Sequence, residues 1–403
     1  MKVLLITAGS RGDVEPFLAL ARRMAAEGHQ AHVALPDNSG ADTEGVVTIS
    51  LGADFTRVIE QQGVSPVTAM RSLRTVVRPI MRAVFLGAVR AARETSPDVI
   101  LYHPKVLSAP LAADVLGVPH VVAELVPAMT PTRAFPAAGT VPFSLGPLNR
   151  VTYAGATGAR RMFAADLDAA SRELGHPERP RQDSPASSNL VPVSPAVLER
   201  PDDWPVTTTL TGAWTGGGHA PDRPVDAELA QFLDGEVLYA GFGSMAASGA
   251  TRRGRAVVEA ARSQGLRALV VTGLGGLGVD DDLRGDDVLV REAVDHHAVL
   301  PRVVAAVHHG GVGTVHAALG AAAPSVIVPF IADQPFWGAR LAAAGLGPSP
   351  IRASRLDSAR LSRAIERIDR YRPATTEAAE RMRAEDGTGT ATRILERISD
   401  ARR

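Results

Sequence analysis

The 403-residue chain has no cysteine, which excludes disulfides and thiolate metal sites. Lysine is almost missing: Lys2 and Lys105 are the only two, and arginine supplies every other basic side chain. Aromatic residues are sparse at 4%. Neither sign of charge is in excess, with 43 basic against 43 acidic residues, so nothing recommends nucleic acid as a partner. No apolar run approaches the roughly 20 residues that span a bilayer. The N-terminus enters a strand, Val3-Leu4-Leu5-Ile6-Thr7, without a basic leader or cleavage site. These absences point to a cytoplasmic protein, and a hydrophobic content of 45% suffices for two cores.

What is present is a strand, a glycine turn and a helix start in the second half. The apolar run Val303 to Val307 reads as a buried parallel strand. His308-His309 and Gly310-Gly311-Val312-Gly313 follow, and Thr314 opens a helix-like run through Ala317, Ala318 and Leu319. The first N–H groups of a helix lack internal partners and its dipole favours anions. Glycine admits a phosphate close to the backbone. His309 adds a donor that can carry positive charge. The stretch reads as a diphosphate seat, with a plain packing turn as the alternative. A second apolar run, Val326-Ile327-Val328, reaches Asp333-Gln334 past its carboxyl end. Acid and amide side chains there suit sugar hydroxyls, which both donate and accept.

The first half opens as βαβ, with a helix through Phe17, Leu20, Ala21 and Met24 and a strand from Ala31 to Leu35. Pro16 fits a first-turn position. Asp13 is expected in the loop after the first strand, as a loop-capping residue or as a catalytic one. Gly9, Gly12 and Pro16 do not supply the G-x-G-x-x-G spacing of a nicotinamide site. Residues 65–93 read as helix, with Pro79 as a break or kink. Val99 to Tyr102 reads as a strand with His103 at its end, either touching a ligand or capping the strand. Another strand lies within Pro119–Leu125. Five prolines between Pro127 and Pro147, with Phe135 and Phe143 among them, mark an irregular loop long enough to carry selectivity. A helix near 153–174, a Pro/Ser-rich stretch over 177–195 and a strand over 210–214 complete this half.

The second half restarts as the first did, with Val237 to Ala240 running into Gly241-Phe242-Gly243-Ser244. A helix over 252–264 and strands at 268–272 and 288–290 follow. Asp280-Asp281-Asp282 reads as a solvated turn.

His309-Gly310-Gly311-Val312-Gly313-Thr314 with Asp333-Gln334 resembles the donor-binding signature of the UDP-glycosyltransferase superfamily. The likeness is nearest to actinobacterial enzymes that glycosylate antibiotics and sterol-like aglycones, and it spans nearly the whole chain. It implies an α/β protein of GT-B fold, with two Rossmann-like domains facing across a cleft. The implied layout is an acceptor domain over 1–213, a linker over 214–225, a nucleotide-sugar domain over 226–383 and a C-terminal helix over 384–403 that crosses back onto the first domain. Asp13 would stand where plant members carry their catalytic histidine. His309, Gly311, Gly313, Thr314 and Ser244 would hold the diphosphate. Val294 and His296 would hold the base, in a loop where Asp295 replaces the family's proline and Ala293 its base-stacking tryptophan. Asp333, Gln334 and Ser10 would read the sugar, and His103, Phe135 and Phe143 would meet the acceptor.

The implied reaction is inverting, metal-independent transfer from a UDP- or dTDP-sugar to a hydroxyl of a hydrophobic aglycone, with the nucleotide sugar as co-substrate and no further cofactor. A nucleotide-sugar epimerase or hydrolase on the same fold, or a non-catalytic auxiliary partner, are the alternatives.

Overall fold

The computed structural model describes residues 1–55, 73–176, 184–215, 225–243 and 248–401. Two parallel sheets organise it. The first contains β1 (Lys2–Ile6), β2 (Gln30–Asp37), β3 (Val47–Asp54), β4 (Val99–Tyr102), β5 (His120–Ala123), β6 (Ser188–Val191) and β7 (Thr208–Leu210), in the order β3-β2-β1-β4-β5-β6-β7. The second contains β8 (Val237–Gly241), β9 (Arg267–Val271), β10 (Val288–Arg291), β11 (Ala305–His308) and β12 (Ser325–Ile327), in the order β10-β9-β8-β11-β12. Both have the doubly wound pattern of two Rossmann-like domains.

The apolar runs explain the parallel pairing. Val3 to Ile6 are all fully buried, because helices cover both faces of the sheet. Each such Leu or Ile contributes about 1.5–3 kcal/mol when removed from water. Pairing of Ile6 with Tyr102, and of His308 with Gly241, brings β1 and β4 to one level, and β8 and β11 to another. Strand order reverses at these two pairs. They are the topological switch points, where open α/β sheets leave a crevice beyond the carboxyl ends.

An apolar cluster fastens the domains together. Phe135, Val193 and Trp204 from the first half pack with Val315, Phe336, Trp337 and Leu341 from the second. Ser194 N–H also donates to His316 Nε2 at 3.3 Å. The last helix, Gly387–Asp400, returns to the first: Ala391, Ile394 and Leu395 pack among Phe17, Leu20 and Met24, and Arg23 meets Asp386 at 3.1 Å. Among the described residues, no helix is long and apolar enough to cross a membrane.

Several expected elements are corrected. The first helix spans Arg11–Ala26, so Asp13 lies in its first turn instead of in a loop, and Pro16 lies one turn deeper than expected. The helix after β11 begins at Val312 instead of Thr314. Two strands carry too weak a pattern to be expected: β3 is a half-exposed edge strand, and β6 has four residues inside the Pro/Ser-rich stretch. The expected strand at 210–214 ends at Leu210, because Gly212 takes a φ of +91° and turns the chain so that Trp214 stacks edge-on against Phe17 at 6.0 Å. The helix near 153–174 is broken at Phe163 and preceded by a 3-10 helix, Gly146–Ala154. In the 65–93 region the described part is a helix, Arg78–Thr95, with Pro79 tolerated in its first turn; Val67 and Met70 lie outside the described residues.

Candidate active site

The first switch point carries a carboxylate with an ordered set of donors. Gly9 has a φ of +137°, and a Cβ there would come within 2.0 Å of Asp13 Oδ2, so the turn after β1 needs glycine twice over. Ser10 N–H donates to Asp13 Oδ2 at 2.9 Å, one half of a capping box. Thr7 Oγ1 donates to the Asp13 carbonyl at 2.7 Å. From the end of β4, Lys105 Nζ donates to Asp13 Oδ1 at 2.9 Å, and His103 Nε2 lies 3.4 Å from the same oxygen.

Burial alone pushes the Asp13 carboxyl up. The Lys105 charge and the His103 contact overcome that, and the group is held well below the usual carboxylate range. Burial lowers the His103 imidazole despite Asp13 beside it. Lys105 N–H donates to His103 Nδ1 at 3.1 Å, which places the imidazole proton on Nε2, facing Asp13. His103 thus caps the turn after β4 through that bond and, at 6% side-chain exposure, turns its other nitrogen toward Asp13, whose own carboxylate keeps 21%.

The second switch point holds the glycine turn. His309 follows β11. A Cβ at Gly311 would lie 2.5 Å from its Nε2, and one at Gly243 would lie 3.3 Å from its Cε1, so both glycines make room for the ring. His309 Nδ1 is buried with no hydrogen-bond partner among the described residues. Burial, with His296 nearby, lowers its pKa to about 4. The ring is thus neutral near pH 7 and gains charge only where a nearby anion raises its pKa. Val315 N–H bonds back to Gly311 O at 2.9 Å, which leaves the N–H groups of Val312, Gly313 and Thr314 as the helix's orphan donors. Ser244 lies outside the described residues.

The loop after β10 is closed by Asp295, whose carboxylate accepts from His297 N–H at 2.8 Å and caps the short helix His296–Val299. That role accounts for an acid where the family has proline. His296 Nε2 lies 2.8 Å from Tyr239 Oη; burial first, then the Arg11 charge, lower its pKa to about 4. Arg11 belongs to the first domain, so the two switch points face each other closely enough to interact. Val294 packs its side chain against the Leu229 and Phe232 cluster, leaving its backbone for the loop.

Asp333 stands at the start of the helix Gln334–Ala343, after Ala332 in the left-handed region at φ +56°. Its Oδ2 accepts from Trp337 Nε1 at 2.7 Å. Burial pushes its carboxyl up; the Trp337 hydrogen bond opposes this, and the charges of Asp13 and Lys105 act on it in opposite directions. Gln334 is buried, and its Oε1 accepts from Phe330 and Ile331 N–H at 2.8 and 3.1 Å. That oxygen braces its own loop. Phe135 is not open to an acceptor: it is 1% exposed, between Trp204 and Phe336 at 6.1 and 5.4 Å. Phe143 is 61% exposed. Asp280 and Asp282 both pair with Arg255, at 3.2 and 2.8 Å.

Comparison with known proteins now bears on this arrangement. Residues 3–127 match the glycosyltransferase family 28 N-terminal domain, and residues 282–397 match the erythromycin biosynthesis protein CIII-like C-terminal domain. The chain is 33% identical to glycosyltransferase GtfE of Amycolatopsis orientalis, over 86% of this chain and 85% of that one. It is 31% identical to O-mycaminosyltylonolide 6-deoxyallosyltransferase of Streptomyces fradiae, over 95% and 92%. The chain belongs to the UDP-glycosyltransferase superfamily. It is also 29% identical to sterol 3-beta-glucosyltransferase of Arabidopsis thaliana over 98% of its length, which spans 65% of that protein. Its fold is GT-B: the glycosyltransferase of kitacinnamycin superposes with a TM-score of 0.74 at 20% identity, covering 98% of each chain. The glycosyltransferase VinC in complex with DTDP gives 0.69 at 18%, covering 100% of each.

Two residues of this family member escaped sequence reasoning. Arg11 gave no signal. Lys105 gave one: it is one of two lysines in a chain that otherwise uses arginine, and a short, strongly hydrated ammonium is a different tool from a guanidinium fork.

Proposed function

We propose that this protein transfers a glycosyl group from a UDP- or dTDP-sugar to a hydroxyl of a hydrophobic natural-product or sterol-like aglycone, with inversion. The observation that carries the reading is the pair of switch points, one with Asp13 and one with the helix N–H donors beside His309, whose Nδ1 is buried without a partner among the described residues. Gly313 adds to it. A Cβ there would meet nothing within 4 Å. Glycine inside a helix costs about 0.5–1 kcal/mol relative to alanine, so packing does not require it, whereas close approach of a diphosphate does.

The acceptor oxygen attacks the anomeric carbon as its proton passes to Asp13. The bond from that carbon to the diphosphate breaks, and the leaving group takes the electron pair. Its growing charge is met by the Val312, Gly313 and Thr314 N–H groups and by His309, donors already oriented before the reaction. Metal independence and the absence of a further cofactor belong to this proposal. Asp333 would read sugar hydroxyls through its second oxygen, with Ser10 opposite, while Val294 and His296 would border the base.

Incubating the enzyme with UDP- and dTDP-sugars, with and without hydroxylated apolar acceptors, tests the proposal. Glycoside of inverted configuration is expected only when an acceptor is present. Asp13→Asn, which keeps an acceptor for Ser10 N–H, is expected to retain donor affinity and lose roughly 10²–10⁴ in turnover. Consumption of the donor at equal rates with and without acceptor would instead identify a hydrolase or epimerase.

A further inference from the structure

A 3-10 helix in the first domain is built inside out. It spans Gly146–Ala154, directly after Leu145. Three residues per turn bring positions i and i+3 into register, so Leu145, Leu148, Val151 and Ala154 form one stripe. Apolar stripes ordinarily face a core. This one faces outward: Leu145, Leu148 and Val151 are 37%, 64% and 67% exposed. The polar side is the one anchored to the protein. Asn149 is fully buried and donates to Arg133 O at 2.8 Å, Thr152 Oγ1 accepts from Ala137 N–H at 2.8 Å, and Tyr153 Oη donates to Phe135 O at 3.2 Å. Those bonds hold the stripe outward, with Phe143 before it and exposed Met162 at the end of the helix that follows.

Charge supplies the second observation. Between Glu124 and Asp166 there is no acidic residue, and there are four arginines, Arg133, Arg150, Arg160 and Arg161, in a chain that is balanced as a whole. Arg133, Arg150 and Arg161 are exposed. Exposed apolar surface of this extent marks an interaction site. The fold brings one acid to this rim, Asp203, which accepts from Arg133 N–H at 3.0 Å and lies near Arg150; the three exposed arginines outnumber it, so a second copy is a poor occupant, since a two-fold contact would set like net charge against like. We propose that this face docks on an anionic bilayer surface, the stripe entering the headgroup boundary and the arginines meeting lipid phosphates. Tyr153 ties the segment to Phe135, which packs against Phe336 of the second domain at 5.4 Å, so docking sets this edge of the seam between the domains near the lipid. This inference is independent of glycosyl transfer, and its test reads lipid binding alone.

The full chain is sedimented with vesicles of phosphatidylcholine alone or with one-third phosphatidylglycerol, at low and high salt. Binding to the anionic vesicles, weakened by salt and minimal on neutral ones, is the expected result. The double variant Leu148→Glu/Val151→Glu should bind about tenfold or more weakly, with its melting temperature and circular dichroism confirming the fold. Should it fail to fold, Arg150→Glu/Arg161→Glu gives the same readout from the charged rim. The proposal is overturned if the wild type ignores anionic vesicles, if folded variants bind as the wild type does, or if light scattering shows that the wild type is a dimer which the stripe variant dissociates.

Discussion

Lys105 Nζ sits 2.9 Å from Asp13 Oδ1, an ion pair between the ends of the two strands that flank the first switch point. It makes Asp13 a poorer base than an isolated carboxylate in a dry pocket. Burial alone would raise its pKa, and the Lys105 charge with the His103 contact reverses that in the folded site. A base of this kind works when proton transfer is coupled to attack, because the acceptor hydroxyl becomes acidic only as its bond to carbon forms. The same ammonium opposes that transfer, because its ion pair weakens as the arriving proton neutralises Asp13. In the proposed reaction Lys105 holds the carboxylate ionised and oriented at the expense of its basicity.

Lys105→Met should separate those effects. Without the ammonium, the Asp13 carboxyl rises toward its ordinary value, so the acid limb of the kcat/KM profile moves to higher pH. The limb reports the free enzyme, in which the pair exists. Turnover at neutral pH should change little, because Asp13 is ionised there with or without Lys105 and its gain in basicity offsets the loss of an orienting donor. An unmoved acid limb would show that Asp13 is not the group titrating in it.

Much of the fold was legible because the central strands are continuous apolar runs that leave few alternatives, as Val3 to Ile6 and Val303 to Val307 illustrate. The first domain's β3 and β6 were hidden by exposure and by shortness, since Val47 is 59% exposed and Ser188–Val191 has four residues. The positions of Asp13, His309 and Asp333 past the carboxyl ends of strands were legible as well. Spacing did not reveal their protonation, which depends on neighbours distant in sequence: Lys105 for Asp13, His296 for His309. Nor did it separate the two phenylalanines of one loop, because Phe135 finds Trp204 and Phe336 only after the domains meet.

His309→Ala should weaken binding of a nucleoside diphosphate by about 1.5–3 kcal/mol, roughly 10- to 150-fold. The imidazole is neutral when the site is empty, with a pKa of about 4. A bound diphosphate raises that value, so binding by the wild type takes up a proton and strengthens as pH falls toward 4. Protonation of the diphosphate opposes this in both proteins alike. The ratio of wild-type to variant affinity, measured by calorimetry across pH 4.5–8, should therefore grow toward acid; a flat ratio would remove His309 from the diphosphate.

Phe135→Ala tests a structural assignment. The ring is buried between the domains, and its loss should cost about 3–5 kcal/mol. Phe143→Ala, at an exposed position, should stay within about 0.5 kcal/mol. Chemical denaturation of both variants decides the point. A stable Phe135→Ala protein with altered acceptor preference would return Phe135 to the acceptor site.

Asp333 needs a substitution that keeps its structural bond. Its Oδ2 accepts from the indole of Trp337, which is fully buried. Asp333→Ala would orphan that N–H at a cost of about 1–3 kcal/mol, and a binding defect could then reflect a loosened loop. Asp333→Asn keeps one carbonyl oxygen for the indole and replaces the other oxygen with an amide donor. It therefore alters what faces the cleft, where Asp13 and Lys105 act on the carboxylate, and leaves the helix start in place. Sugar hydroxyls that donate to a carboxylate lose an acceptor, whereas a bare diphosphate is held by His309 and the helix N–H groups. The variant should melt near the wild type and bind a nucleoside diphosphate unchanged. It should bind the matching nucleotide sugar about tenfold more weakly, the scale of one charge-assisted hydrogen bond of about 1.4 kcal/mol. Equal losses for the two ligands would make Asp333 a support for the loop and not a reader of the sugar.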